Sequence, residues 1–326
     1  TVEQMERYPN VDWQKALFKD FAMSYNANLN VSGGTKFVKY FASADYINEG
    51  DLFKVFPNNR GYESGYGYDR VNVRSNLDFN ITKTTTLRMN ISGSSAKRTA
   101  PTMNSSGDIW QIQQQWAGAY NIAPDVFLPV YSDGAWGYYP NISNVTNSAQ
   151  NLSVGGLFET TTNRINTDFT LNQDLSFITK GLSLRGTISW DNQFVESGRG
   201  ISDMYNDPQV KWIDPDTGKV TFKNPVDSYN GFDYSQPIKW TTGGGSVNNW
   251  STMRNLYYQG QLNWARTFKK HDVGLMGLFS RQENATGSMI PLFREDWAFR
   301  VTYSWNGRYH AEYNGAYNGS EKFADV

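Results

Sequence analysis

The sequence has 326 residues, a formal net charge of −1, two histidines, no cysteine, 15% aromatic residues and a mean hydropathy of −0.60. The near-zero charge excludes a nucleic-acid binder that works by neutralising phosphates. The lack of cysteine excludes disulfides, thiolate catalysis and Cys-based zinc sites. Abundant Asn and Gly disfavour a helical protein, and abundant aromatic residues disfavour a disordered one, so the composition favours an all-β chain.

No apolar run approaches the ~18 residues that a membrane-spanning helix needs. The sequence starts at Thr1 and shows no signal peptide. We therefore expect a mature or partial chain.

The first predicted element is a short helix that begins after Asp12. Asp12 can cap its N-terminus, and Trp13, Ala16, Leu17 and Phe21 would share one face. An apolar face on so short a helix suits a cover over a barrel mouth or a sheet edge.

Strands follow, each with one apolar and one polar face. From Val71 to Ile81 every odd position except Ser75 is apolar, and every even position is polar. Six further segments alternate in a similar way: Leu87–Ile91, Ile165–Leu171, Leu182–Trp190, Leu256–Trp264, Trp297–Trp305 and Tyr309–Tyr317. Three more alternate weakly, at 27–33, 37–47 and 272–281. Together with 71–81 these segments give about ten strands.

The links between these strands alternate in length. Short links lie near 33–36, 82–85, 176–180, 268–271 and 306–308, and long links cover about 48–69, 96–161, 195–253 and 283–295. A meander with short turns on one side and long loops on the other is typical of a transmembrane antiparallel β-barrel. A soluble sandwich has no reason to sort its loops in this way.

Aromatic spacing supports the same fold. Trp297 and Trp305 are eight residues apart on one strand, and Tyr309 and Tyr317 are eight apart on the next. Eight residues span roughly 26 Å along a strand. With a ~40° tilt this is about 20 Å of membrane, close to the height of an apolar band between two aromatic girdles. We predict these four residues at the membrane interfaces; the alternative is that they pack a sandwich core.

The turn at Asn306-Gly307 conflicts with this arrangement. A two-residue turn there would pair Trp305 with Arg308 and put Tyr309 on the opposite face. An odd loop or a bulge keeps Trp305 and Tyr309 on the same face, and we expect the bulge.

Candidate substrate-binding residues lie in the longest loop. Its rings could stack on sugar faces or peptide side chains; the candidates are Trp110, Trp116, Tyr131, Trp136, Tyr138 and Tyr139. The alternative is that they form the core that folds the loop. A second loop poses the same question with Trp212, Tyr229, Phe232, Tyr234, Trp240 and Trp250.

The sequence does not predict a catalytic site or a metal site. His271 and His310 alone cannot supply a Ser-His-Asp site or a His-rich metal centre, so we expect neither an enzyme nor a metal or other cofactor. Three carboxylates lie on polar strand faces: Asp78, Asp168 and Glu312. There they would line a wet lumen or form ion pairs, and we expect ion pairs with Arg74, Arg88, Arg164 or Arg185. The segment Asp214–Lys219 contains part of a calcium-loop pattern, but it fits a hairpin turn better.

Two sequence blocks carry a family resemblance. Tyr8–Trp13 (YPNVDW) and Asn28–Gly34 (NLNVSGG) resemble a signature of SusC/RagA-type TonB-dependent outer-membrane transporters of Bacteroidetes-like bacteria. Weaker matches follow along the chain at Lys39–Ser43, Tyr46, Glu49–Gly50, Gln261–Trp264, Phe268–His271, Arg300–Tyr303, Arg308–Tyr309 and Tyr317–Ser320.

The resemblance implies a 22-stranded barrel with an N-terminal plug. It further implies a SusD-like surface lipoprotein as partner, a TonB-ExbB-ExbD complex as energy source, and import of oligosaccharides (glycans) or peptides across the outer membrane. Because no plug or TonB-interacting segment is recognisable, we expect a partial chain: a plug-to-barrel junction at 1–25 and a partial barrel domain at 26–326. The alternatives are a passive porin-like channel and a soluble or surface-attached glycan-binding module.

Overall fold

A computed structural model describes residues 1–58, 60–101, 109–140, 147–203, 210–222 and 241–321. In chain order its elements are α1 (Val2–Arg7), α2 (Trp13–Leu17), β1 (Ser24–Gly34), β2 (Val38–Glu49), β3 (Gly67–Asn80), β4 (Thr85–Ala100), α3 (Ile109–Asn121), β5 (Trp136–Gly137), α4 (Ser148–Val154), β6 (Leu157–Asp174), β7 (Leu182–Ser202), β8 (Val210–Ile213), β9 (Val220–Phe222), β10 (Thr241–Gly243), β11 (Ser246–Val247), β12 (Met253–Phe268), β13 (His271–Thr286), β14 (Leu292–Trp305) and β15 (Tyr309–Ser320).

In the part of the chain that the structure describes, ten long strands form one antiparallel meander, in the order β1-β2-β3-β4-β6-β7-β12-β13-β14-β15. The short strands β10 and β11 also pair with β7, and β5, β8 and β9 form a separate three-stranded sheet. Within the described residues β1 and β15 each have a single partner, so the large sheet is open at both edges. The predicted all-β fold and the number of main strands are confirmed.

The links keep the predicted alternation, with one exception. Turns 35–37, 81–84, 175–181, 269–270 and 306–308 are short, whereas links 50–66, 101–156 and 203–252 are long. The link expected to be long at 283–295 spans 287–291 alone, because β13 and β14 pair as far as Asn284 and Leu292. Backbone pairing that continues beyond the segment of alternating polarity therefore shortens this loop.

The two faces of the sheet differ as the alternation predicts. Val71 and Val73 project from one face and are exposed, as are the aromatic side chains from Trp297 to Tyr317 on β14 and β15. The opposite face carries hydrogen-bonded polar ladders, for example Gln259 to Gln261 at 3.3 Å and Gln261 to Asn263 at 2.8 Å. Exposed apolar residues on a long continuous sheet need a non-aqueous environment.

The four aromatic residues predicted at the membrane interfaces lie together in register. Trp305 pairs with Tyr309, and Trp297 pairs with Tyr317, so all four share one face. This placement is achieved by an odd loop, 306–308, in which Asn306 (φ 51°) and Gly307 (φ 66°) are left-handed. The ladder between β14 and β15 shows no register shift. The bulge expected from the Asn-Gly turn is therefore wrong, because the extra residue lies in the loop itself.

The short turn between β6 and β7 depends on Gly181. Its φ is 87°, and a Cβ would overlap the carbonyl oxygen of Ala265. We expect Gly181→Ala to cost about 1–3 kcal/mol from backbone strain and to lower the folded fraction, measured by the band shift of unheated samples on SDS gels. Gly186→Ala is the control, because no atom lies within 4 Å of its added Cβ. Equal folded fractions in the two variants would contradict the prediction.

The N-terminal segment carries the expected helix α2. The Asp12 carboxylate accepts a hydrogen bond from the Lys15 amide at 3.1 Å, and Trp13 and Leu17 are buried. Phe21, expected on the same face, is exposed because the helix ends at Leu17. A second helix, α1, was not among the predicted elements; it begins with a Thr1–Gln4 capping box.

No helix in the described part of the chain is long and apolar enough to cross a membrane.

Candidate functional site

The N-terminal segment and the long links pack together at one end of the sheet. We call this part the loop cluster; it consists of residues 1–23, 50–66, 109–140, 147–156 and 210–222. Backbone hydrogen bonds tie the N-terminal segment to the first long link, from Lys19 to Leu52 at 2.8 Å and from Gly50 to Met23 at 3.0 Å. The N-terminal segment therefore lies at the long-link end of the sheet. That residues 1–25 join a plug domain stays a prediction.

The loop cluster has its own hydrophobic core. Trp13 and Phe127 meet edge to face with ring centroids 5.2 Å apart, and Phe18 lies 5.2 Å from Phe53. The core combines residues far apart in sequence: Trp13, Leu17, Phe53, Ala119, Ile122, Phe127, Trp136, Ala149, Leu152 and Val210. Burial of such separate segments explains how so long a set of loops is ordered.

Most of the candidate loop aromatics pack into or against this core. Tyr131 is 3% exposed and Trp136 is 7% exposed, and Tyr138 and Tyr139 pack at its margin. Trp116 is 38% exposed and lies beside Phe18, with ring centroids 4.7 Å apart. The side chain of Trp110 lies outside the described residues. The described rings thus serve the folding of the loop, and substrate contact by any of the six remains a prediction.

The second loop is described in part. Trp212 packs edge to face on Tyr139, with ring centroids 5.7 Å apart, and Trp250 is exposed. The remaining candidates, Tyr229, Phe232, Tyr234 and Trp240, lie outside the described residues.

A buried lysine joins three segments of the loop cluster. The Lys211 ammonium lies 2.7 Å from the Asp133 carboxylate, 3.9 Å from Glu6 and 4.5 Å from the centre of the Tyr131 ring. The Ser132 amide donates to Glu6 at 2.8 Å. Burial raises the pKa of Tyr131 to about 12, so its hydroxyl stays neutral beside the two carboxylates.

Both carboxylates of this group have lowered pKa values. The Ser132 hydrogen bond holds the pKa of Glu6 below its usual value, with help from the Lys211 charge and against burial. Burial raises the pKa of Asp133, but the hydrogen bonds from Lys211 and Ala135 and the Lys211 charge outweigh it. Negative charge on both groups therefore favours the folded loop cluster.

We expect acid to loosen this part of the loop cluster. A carboxylate with a lowered folded pKa stabilises fully above its unfolded value, about 4, and the stabilisation is lost as the pH falls through the folded pKa. Hydrogen exchange of the Ser132 amide should therefore be protected at pH 7 and lose protection below about pH 4. In Glu6→Gln this pH dependence should shrink; an identical pH profile in the two proteins would contradict the assignment.

A second buried ion pair fastens the first long link to the end of β7. Arg60 pairs with Asp203, and both side chains are almost fully buried. Tyr62 donates to Asp203 at 2.6 Å and accepts from the Gly156 amide at 3.3 Å. Burial and the Asp203 hydrogen bond raise the pKa of Tyr62. This network joins the first long link to the ends of β6 and β7.

The calcium-like segment is a hairpin turn, as predicted. It connects β8 and β9, and the Asp214 amide donates to Lys219 at 3.0 Å. Arg7 donates to the carbonyl oxygens of Pro215 at 2.8 Å and Asp216 at 2.7 Å. The turn thus docks helix α1.

The polar strand face holds exposed ion pairs. Arg88 lies 2.7 Å from Asp78, as expected. Glu312 is also paired, but with Arg300 at 2.7 Å, which was not among the expected arginines. Asp168 forms no ion pair with a described residue. No group of three His, Cys, Asp or Glu in the described chain could hold a metal ion.

The two histidines lie at the short-turn end. His271 Nδ1 is 2.6 Å from the Tyr303 hydroxyl, and His310 Nε2 is 3.3 Å from the Gly307 carbonyl. Neither forms an ion pair with a carboxylate among the described residues.

No family model and no curated protein matches this sequence. Solved structures do match. The RagAB peptide transporter superposes with a TM-score of 0.54 at 14% identity, over 97% of this chain and 34% of that chain. The RagAB peptide importer in its closed-closed state gives 0.56 at 15% identity, over 96% and 33%. The open-open state gives 0.56 at 14% identity.

The chain has the fold of part of a TonB-dependent transporter, an outer-membrane β-barrel. It spans about a third of the length of the RagAB chains that it matches. The resemblance noted in the YPNVDW and NLNVSGG blocks is thus confirmed for the fold, and the expectation of a partial chain agrees with this coverage.

Proposed function

We propose that this chain forms part of the wall of an outer-membrane importer that takes up oligosaccharides or peptides with energy from TonB. The observation that carries the proposal is the ten-stranded meander with an exposed apolar face, a polar opposite face and long loops gathered at one end. A transmembrane barrel requires this combination, since lipid contacts one face and water the other.

The open edges of the sheet support a larger barrel. Unpaired backbone groups on β1 and β15 would be costly in lipid, where no water can satisfy them. Further strands would pair with them, in keeping with the much greater length of the matched RagAB chains. A plug and the segment that engages TonB-ExbB-ExbD would belong to parts of the protein outside this chain.

Trp297, Trp305, Tyr309 and Tyr317 would mark the two membrane interfaces. Each pair is spaced by eight residues and projects from the exposed face. Indole and phenol rings with polar tips are suited to the headgroup level.

The loop cluster would lie outside the cell and meet the ligand and a SusD-like lipoprotein. Among its candidate aromatics, the partly exposed Trp116 is placed best for stacking on a sugar or side chain. The matched structures are named as peptide transporters, which favours a peptide for the cargo, whereas the aromatic loops suit either class. We propose no catalytic role and no cofactor.

Uptake in two deletion strains tests the function. One strain lacks this protein and one lacks TonB, and each is given either a peptide digest or an oligosaccharide mixture as its sole nutrient. We expect both deletions to abolish the same uptake. Uptake that needs this protein but not TonB would instead indicate a passive porin-like channel. A protein recovered in the soluble fraction without detergent would indicate a surface glycan-binding module.

A further inference from the structure

Three arginines on adjacent strands converge on the polar face near the loop cluster. They are Arg70 on β3, Arg98 on β4 and Arg164 on β6. The register places Arg70 opposite Ala96 and Arg164 opposite Ser94. Neighbouring strands lie about 4.8 Å apart, and the small side chains of Ser94 and Ala96 line the same cavity as the three arginines.

A cavity of about 720 Å³ occupies this position. Besides the three arginines its described lining is neutral and includes Tyr68, Thr160, Thr162 and Gln193. No carboxylate belongs to that described lining. The cavity therefore carries three formal positive charges, although the whole chain is close to neutral.

These arginines differ from others on the same face. Arg88, Arg294 and Arg300 each pair with a carboxylate, Asp78, Asp296 and Glu312 in turn. In contrast, the Nε of Arg70 is buried without a hydrogen-bond partner among the described residues. Such a group is costly unless something else satisfies it.

The nearest polar partners leave the charge of the cavity in place. Arg164 donates from Nε to the neutral Gln193 side chain at 3.1 Å. Glu49 is level with Tyr68 on the next strand. Asp191 lies two residues before Gln193 on the same face, within reach of the Arg164 charge. Neither carboxylate forms an ion pair with the three arginines.

We propose that this cavity binds a carboxylate group of the imported ligand. The planar guanidinium fork matches a carboxylate in two parallel hydrogen bonds, and three such groups in a cavity with small side chains leave room for one. The proposal rests on the proposed import function and makes the ligand acidic: either a peptide through its terminal carboxylate or an oligosaccharide through a uronic acid.

Binding to the natural protein in detergent tests the site with two matched probe pairs. One pair is a set of pentapeptides with free or amidated C-termini, and the other is oligogalacturonate with or without methyl esterification. In at least one pair we expect the acidic member to bind about tenfold or more tightly, as one charge-assisted hydrogen bond can supply. Which pair shows the preference identifies the source of the carboxylate.

Substitutions test whether the preference comes from the cavity arginines or from positive charge elsewhere on the polar face. The triple variant Arg70→Gln, Arg98→Gln and Arg164→Gln should lose the preference, whereas Arg300→Gln, which removes a paired arginine, should keep it. Equal binding of acidic and neutral probes, no binding of either pair, or an unchanged preference in the triple variant would each overturn the proposal.

The import function could fail separately. If uptake does not depend on TonB but acidic probes still bind more tightly, the cavity is a carboxylate site in a passive channel. If uptake depends on TonB but is limited to neutral nutrients, and acidic probes bind no more tightly than neutral ones, the carboxylate site is refuted and the import function is supported.

Discussion

Asp203→Asn is expected to release the first long link from the end of β7. The change leaves the nearly buried Arg60 without its countercharge, and removing one partner of a buried ion pair costs roughly 3–5 kcal/mol. The loss should be local, since the pair joins the link to the strand ends and not the strands to each other. Hydrogen exchange of the amides at 60–66 and of Gly156, which donates to Tyr62, should rise by a factor of a hundred or more, as about 3 kcal/mol implies.

Arg88→Gln is the matched control. It removes an ion pair with Asp78 whose side chains are both more than half exposed, and exposed pairs contribute about 0–1 kcal/mol. Exchange at 60–66 should not change in this variant. Protection that survives in Asp203→Asn would show that the link is held by its backbone contacts rather than by the ion pair.

Phe127→Ala should have an effect of similar size on the loop cluster. The ring is fully buried (0% exposed) against Trp13, and Phe-to-Ala changes in a core cost about 3–5 kcal/mol from lost burial and the remaining cavity. Because the core joins the N-terminal segment to three long links, we expect α2 and α4 to lose protection together. Phe127→Leu, which restores much of the volume, should recover part of it.

Tyr120→Ala is the control for this variant. Tyr120 is 61% exposed in the same loop cluster, and surface changes of this kind fall within about 0.5 kcal/mol. Limited proteolysis should cut the Phe127→Ala protein within the loops and leave the Tyr120→Ala protein intact. Equal resistance of the two would mean that the loops are ordered by the strand ends instead.

The strands could be predicted because each strand is marked by alternation between residues that are neighbours in the sequence. In β3 apolar and polar residues alternate with the period of a strand, and Val71 and Val73 lie on the exposed face where that period places them. The length of β13 and β14 could not be predicted from alternation, because backbone pairing continues past the segment where the two faces differ in polarity.

The loop cluster could not be assembled from the sequence, because its contacts join distant segments. Lys211 and Asp133 are 78 positions apart, and Arg60 and Asp203 are 143 apart. One local signal was available: Ile109, Ile112, Trp116 and Ala119 recur with helical spacing in what became α3. The arginines of the cavity were visible as polar-face residues, but their lack of acidic partners depends on the register of three strands.

Cysteine scanning along β3 is the most direct test that this chain is a membrane wall with two faces. The natural sequence has no cysteine, so each introduced thiol is the only one contributed by this chain. In intact outer membranes, cysteines at Asn72 and Asn76 should react with a water-soluble maleimide, whereas cysteines at Val73 and Leu77 should be protected until detergent removes the lipid. Equal labelling of both sets before detergent, or protection of the asparagine positions with labelling of the apolar ones, would contradict the barrel-wall assignment.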